Sequence, residues 1–152
     1  MSENINYILF VCKANFCRSP VAENLLKFQL KNDDINIESR GLIDYFEFDM
    51  HKYSREYLSA KNVNPNLTSP KKIANEDLKR FDIIFAMDLE IFSKLQNKYK
   101  NYSSKIFLFT KFSKKYGIKD PIGSNKEDYF KSMDSIYDEI LEIEKFLDNK
   151  IK

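Results

Sequence analysis

Continuous apolar runs of strand length alternate along this chain with stretches whose apolar residues recur at helical spacing. Residues 5–11 (INYILFV) read as a buried strand, and residues 19–32 (SPVAENLLKFQLKN) as a helix opened by Ser19 with Pro20 in its first turn. A short strand follows at 35–39 (INIES) and a helix at 53–63 (YSREYLSAKNV). Residues 81–87 (FDIIFAM) have the character of a strand covered on both faces, 88–99 (DLEIFSKLQNKY) of a helix, and 105–109 (KIFLF) of a fourth strand. From Tyr129 through Met133, Ile136, Ile140 and Ile143 to Leu147, apolar residues recur every three or four positions, which predicts an amphipathic helix of about six turns. Strands separated by helices predict an α/β fold: a central four-stranded parallel sheet with helices on both faces, in one domain spanning residues 1–152. In such sheets ligands bind at the carboxyl ends of the strands, where Cys12 lies. The stretches 41–52 and 110–125 lack periodicity and are long enough for functional loops.

Composition narrows function more than fold. A chain of 152 residues buries a core without disulfides or metal, and 43% hydrophobic with 32% charged residues argues against disorder. A formal net charge of +2 gives no electrostatic reason to expect a nucleic-acid partner. The N-terminal MSENINY lacks a basic signal region, and no apolar run approaches the roughly 18 residues of a membrane span. A cytoplasmic protein with no membrane partner is therefore expected, and a monomer is its expected state. Two cysteines five apart without a secretory signal point to chemistry rather than to a disulfide framework. With His51 the only histidine, a metal site lacks a fourth ligand, so no metal and no cofactor are expected.

The chemistry concentrates in ILFVCKANFCRSP, residues 8–20. A loop running from a strand into a helix presents successive backbone amides, and the helix start adds its unpaired amides and positive dipole end, making a cradle for an anion. The glycine-rich phosphate loops are excluded, because the only glycines are Gly41, Gly117 and Gly123. What remains is an anion cradle with a thiol, Cys12, at its base and a guanidinium, Arg18, at its rim, and a guanidinium pairs with phosphate oxygens in bidentate fashion. Helix N-termini and nearby cations favour the thiolate, so Cys12 is expected to act as a thiolate nucleophile, with Ser19 donating a hydrogen bond to it.

The string C-K-A-N-F-C-R-S-P-V-A-E at residues 12–23 resembles the signature loop of the low-molecular-weight protein tyrosine phosphatases, V-C-x-G-N-x-C-R-S-P-x-A-E, and the order of elements resembles that family along the whole chain. The resemblance implies a phosphotyrosine protein substrate and hydrolysis through a phosphocysteine. It also implies an Asp-Pro pair about a hundred residues on, and KDPIG supplies Asp120 as the general acid. It carries over Asn15 as the residue shaping the cradle and Ser39 as a member of its hydrogen-bond network. Lys13, Ala14, Phe16 and Cys17 complete the loop, with Cys17 as an oxidation partner of Cys12. Tyr45 falls where the family places an aromatic cleft wall, with Phe46 and Phe48 as substitutes and core packing as the plain alternative for all three.

Departures from the family pattern bear on activity. Ala14 replaces a glycine, and a supporting histidine is missing where Ser69, Pro70, Lys71 and Lys72 stand. Ile122 and Gly123 follow Asp120-Pro121 where many relatives carry two aromatics, so one cleft wall is expected to be bare. Lys13 at the rim, with Lys71 and Lys72, suggests a preference for acidic substrates. Thioredoxin-coupled arsenate reductases resemble this loop but need two further cysteines, and none follows Cys17. Two alternatives stay open: a protein-arginine phosphatase of the same fold, disfavoured by the bulk of Phe16, and a non-catalytic phosphate-binding regulatory module.

Overall fold

In the computed structural model, residues 4–151 are described apart from 33 and 67. Four parallel strands form the sheet: β1 (Tyr7–Cys12), β2 (Asn36–Gly41), β3 (Ile83–Ala86) and β4 (Ile106–Leu108), in spatial order β2-β1-β3-β4. β1 and β3 are the two inner strands and have no polar face: Ile8 to Val11 are fully buried, and Ile83 to Ala86 are buried as well. Its register sets Cys12 beside Gly41 and Val11 beside Ala86, which brings the carboxyl ends of three strands together under one site.

The first helix, α1 (Arg18–Leu30), starts one residue before the predicted Ser19. Every residue from Arg18 to Leu26 is buried, since the helix is enclosed by the sheet, α2 (Lys52–Ala60) and the C-terminal helix. The helix predicted over 53–63 is thus shifted and stops at Ala60; Asn62 takes a positive φ of 61°, which ends it. A short helix, α3 (Asn75–Arg80), was not predicted, because Leu78 is its single apolar residue and gives no periodicity. It is held by Asp77, whose carboxylate accepts from the Ala74 amide at 2.9 Å and pairs with Arg40 at 3.2 Å. α4 (Leu89–Lys98) packs on β3 and β4, and a 3-10 turn at Lys100–Lys105 leads into β4.

The C-terminal helix, α5 (Lys126–Ile151), begins before Tyr129, with Asn125 Oδ1 accepting from the Asp128 amide at 2.8 Å. Its predicted stripe of Tyr129, Met133, Ile136, Ile140, Ile143 and Leu147 is buried throughout. α1, α2 and α5 pack together as one layer, whereas α4 packs against β3 and β4.

Candidate active site

The loop from Cys12 to Arg18 is held open from outside. Its carbonyls are taken by donors behind it: Leu42 N donates to Cys12 O at 3.0 Å and to Lys13 O at 2.8 Å, His51 N to Phe16 O at 2.9 Å, and the Ser54 hydroxyl to Cys17 O at 2.8 Å. Among the described residues nothing accepts from the amides of Lys13 through Cys17. The loop is therefore an unfilled set of donors, as an anion cradle requires. The backbone turn falls on Asn15, with φ 54°, and not on Ala14, so alanine in place of the family's glycine brings no positive-φ strain. The glycine this loop needs lies on β2: a Cβ on Gly41 would stand 2.7 Å from Ala14 C and 2.8 Å from Asn15 N.

A chain of buried polar side chains runs beneath the loop. The Cys12 sulfur lies 3.0 Å from the Ser19 hydroxyl, and Asn15 Nδ2 donates to both Ser19 Oγ and Ser39 Oγ at 2.9 Å. Ser39 in turn donates to Glu23 Oε1 at 2.6 Å, and Lys27 holds the other carboxylate oxygen at 2.6 Å. Asn15 Oδ1 accepts the Lys71 amide at 2.9 Å, so backbone and Glu23 complete the network without the histidine absent from this segment.

Arg18 is 1% exposed and is gripped at one nitrogen: Nη1 donates to Asp88 Oδ2 and to Ile118 O, each at 2.7 Å. Among the described residues its Nε and Nη2 have no hydrogen-bond acceptor, while Asp120 Oδ2 lies 3.8 Å from Nη2. Burial works against the Arg18 charge, but Cys12, Asp88 and Asp120 outweigh it and hold the guanidinium above its ordinary pKa. Asp88, which sequence reading missed, also accepts the Ile91 amide at 2.9 Å and so caps α4 while aiming Arg18. The segment leading to Asp120 docks here through Gly117, at φ 107°, where a Cβ would meet Asp88 Cα at 2.7 Å. The Ile118 amide donates to Met87 O at 2.8 Å.

Cys17 is a different kind of thiol. Burial pushes its pKa up to about 12, against a hydrogen bond from the Tyr129 hydroxyl. Tyr129 lies 2.7 Å from Ser54 Oγ and stacks on His51 at 4.7 Å between ring centres, and His51 also touches Phe16 at 5.4 Å.

Cys12, Lys13, Ala14, Phe16, Cys17, Arg18, Tyr45, Asp120 and Ile122 all line one pocket of about 200 Å³, joined by Ile43. Asn15, Ser19 and Ser39 support it from beneath. Phe16 and Tyr45 make its aromatic wall, ring centres 4.9 Å apart. Ile122, 53% exposed, also lines the pocket and brings no ring to it. Phe46 and Phe48 are corrections: they are 95% and 74% exposed and line no part of the pocket, because Tyr45 turns inward and its neighbours project outward. Lys71 and Lys72 are also corrected, since both are exposed away from the pocket and only their backbones reach the site. Of the residues not foreseen, Asp88 and Ile43 carry no local motif, whereas Glu23 ends the quoted string and had been given no role.

With this geometry in place, comparison with known proteins is direct. A protein of Staphylococcus haemolyticus, low molecular weight protein-tyrosine-phosphatase PtpB, is 31% identical over 130 residues, 85% of this chain and 91% of its own. The low molecular weight protein tyrosine phosphatase of Streptococcus pyogenes superposes with a TM-score of 0.83 at 27% identity, covering 94% of this chain and 93% of that one. The YwlE arginine phosphatase of Geobacillus stearothermophilus shares the fold, with a TM-score of 0.87 at 22% identity over 95% of this chain and 94% of its own. The sequence profile of one family matches residues 7–152, and on that match the chain belongs to the low molecular weight phosphotyrosine protein phosphatases.

Proposed function

We propose that this protein hydrolyses phosphotyrosine in proteins, and aryl phosphates generally, through a phosphocysteine intermediate. The observation that carries the reading is convergence: Cys12, the Arg18 guanidinium with no hydrogen-bond acceptor among the described residues on its Nε and Nη2, the open loop amides and Asp120 all border one pocket. The phosphoryl oxygens take the loop amides and Arg18 as donors, and Cys12 attacks phosphorus in line as the phenolic oxygen leaves. A phenolate of pKa about 10 is a poor leaving group, and Asp120 in its acid form donates the proton it needs. The resulting Asp120 carboxylate takes a proton from water, water attacks phosphorus, and the Cys12 thiolate departs onto the Ser19 hydroxyl hydrogen bond, releasing inorganic phosphate. Arg18 and the amides hold the equatorial oxygens through both steps.

The pocket walls support a ring substrate, since Phe16 and Tyr45 offer an aromatic face beside the cradle. The site is complete within one chain, which supports a monomer. Two free thiols fit a reducing cytoplasmic setting, and among the described residues no helix is long and apolar enough to cross a membrane.

Turnover of an aryl phosphate and of matched phosphotyrosine, phosphoserine and phosphoarginine peptides tests the proposal. Phosphotyrosine should be cleaved fastest, Cys12→Ser should abolish turnover while retaining oxyanion binding, and Asp120→Asn should slow poor leaving groups most. Full turnover by Cys12→Ser would overturn the mechanism. Faster cleavage of phosphoarginine would select the arginine phosphatase alternative, and binding without hydrolysis the regulatory one.

A further inference from the structure

A second recess, about 680 Å³ against about 200 Å³ for the catalytic pocket, opens directly off it. The two share Lys13, Arg18, Ile43 and Asp120, so they form one continuous depression and whatever lies in the larger recess is joined to the group being dephosphorylated. Its floor is apolar: Leu42, Ile43 and Ile73 on one side, Ile91, Leu95 and Tyr99 on the other.

The lip is basic. Lys94 and Lys98, one turn apart on α4, are exposed at its edge, and Lys13 stands at the junction with the catalytic pocket. The three acids on the same lining are already engaged, Asp88 and Asp120 by Arg18 at 2.7 and 3.8 Å and Glu90 by Lys94 at 3.0 Å. Among the described residues neither Lys98 nor Lys13 has a carboxylate within ion-pair distance; Lys98 rests over the Tyr99 ring at 5.4 Å. An apolar floor under unpaired lysines is complementary to an aliphatic side chain followed by a carboxylate.

We propose that this groove binds the stretch of substrate polypeptide flanking the phosphorylated tyrosine, and selects a bulky aliphatic residue with an acidic residue beyond it. The inference rests on the phosphatase reading of the adjoining pocket and adds a second subsite to it. The catalytic pocket supplies the chemistry to any aryl phosphate; the groove supplies the discrimination among phosphoproteins. Because its apolar floor and Lys98 lie beyond the shared Arg18 and Asp120 and take no part in the transfer, occupancy of that part of the groove acts on KM more than on kcat.

The test compares phosphotyrosine peptides bearing Leu-Glu, Ala-Glu, Leu-Lys or Ala-Lys on the N-terminal or on the C-terminal side, with an aryl phosphate as the groove-independent substrate. On one side, Leu-Glu should exceed Ala-Lys in kcat/KM by about ten-fold at low salt, and the Glu-for-Lys share of that advantage should shrink at high salt. Asn97→Trp, which puts a ring into the groove from an exposed position, and Lys98→Glu should each cut the advantage to under about three-fold, with the aryl phosphate changed less than about two-fold. Equal rates for all peptides on both sides, or a preference unchanged in both variants, would overturn the groove. Calorimetric binding of the same peptides to Cys12→Ser protein separates the two readings, because intact peptide preference without any turnover in the wild type counts against the chemistry and leaves the groove standing. A preference only for long apolar aryl phosphates, with no response to the peptide's acidic residue, would replace the polypeptide by a small-molecule substrate and overturn the proposal.

Discussion

Ser39 donates to Glu23 at 2.6 Å, and this contact sets the direction of the protons between Glu23 and the nucleophile. A carboxylate only accepts, so the Ser39 proton points to Glu23 and its lone pairs receive Asn15 Nδ2. The other Nδ2 proton goes to Ser19, whose own proton is left for the Cys12 sulfur at 3.0 Å or, less favourably, the Arg40 carbonyl at 3.3 Å. Glu23 thus acts as a positioning residue from outside the pocket. Glu23→Ala should lower kcat about ten-fold with KM nearly unchanged, which is the scale of one buried hydrogen bond, and Glu23→Gln, whose amide oxygen still accepts, should recover most of it. A change in KM alone, or no rescue by glutamine, would contradict this role.

Residues contiguous in sequence were the legible part of the site. Cys12, Asn15, Arg18 and Ser19 sit in one strand-loop-helix string, and Asp120 was found because the resemblance carried by that string implies an Asp-Pro pair about a hundred residues on, which on its own would read as a turn. The site depends equally on residues joined only by the sheet register. Gly41 reaches the loop because β2 pairs Cys12 with Gly41, and Asp88 reaches Arg18 because β3 lies on β1's other side. Strand order is not written in apolar periodicity, so neither contact could be read from it. Tyr45 was separable from Phe46 and Phe48 only once the loop's side chains had directions. α3 stayed hidden because polar contacts by Asp77, and not an apolar stripe, hold it.

Asp88 joins two tasks that a single substitution separates. Its Oδ1 caps α4 through the Ile91 amide, and its Oδ2 fixes Arg18 Nη1 at 2.7 Å. Asparagine caps helices as well as aspartate does, yet carries no charge for the guanidinium. Asp88→Asn should therefore keep its thermal midpoint within a few degrees while losing about ten-fold in kcat/KM and binding vanadate more weakly. Denaturation in step with the activity loss would show that the cap, and not the aim of Arg18, was what changed.

His51 gives the fold an acid sensitivity of known sign. Its Nδ1 accepts the Tyr53 amide at 3.0 Å, which demands a neutral ring, and it packs between Phe16 and Tyr129. Burial lowers its pKa below the ordinary 6.5, against the pull of Glu56. A histidine with a depressed folded-state pKa binds fewer protons folded than unfolded, so its contribution is present above the unfolded value and is lost as pH falls through the folded one. Wild-type stability in urea should decline from about pH 6.5 downwards more steeply than that of His51→Asn, which keeps a capping acceptor but does not titrate. Parallel pH profiles would remove His51 from the acid response.

Oxidation should divide the two cysteines by pH. Peroxide converts the Cys12 thiolate to a sulfenic acid with release of water, and closure of a Cys12–Cys17 bond then requires the Cys17 thiolate to attack that sulfur and expel hydroxide. Both sulfurs border the same pocket, but burial pushes the Cys17 thiol up to about 12, so its thiolate is scarce at pH 7. Bridge formation after a fixed peroxide pulse should accelerate about ten-fold per pH unit from 7 to 9, and a dimedone trap should capture the sulfenic acid readily at pH 7. Cys17→Ser should oxidise at the same initial rate yet proceed to irreversible sulfinic acid. Quenched samples analysed by mass spectrometry decide the matter: a bridge that closes equally fast at every pH would mean that the loop opens first and exposes Cys17 to water, and the buried-thiol account of its chemistry would fail.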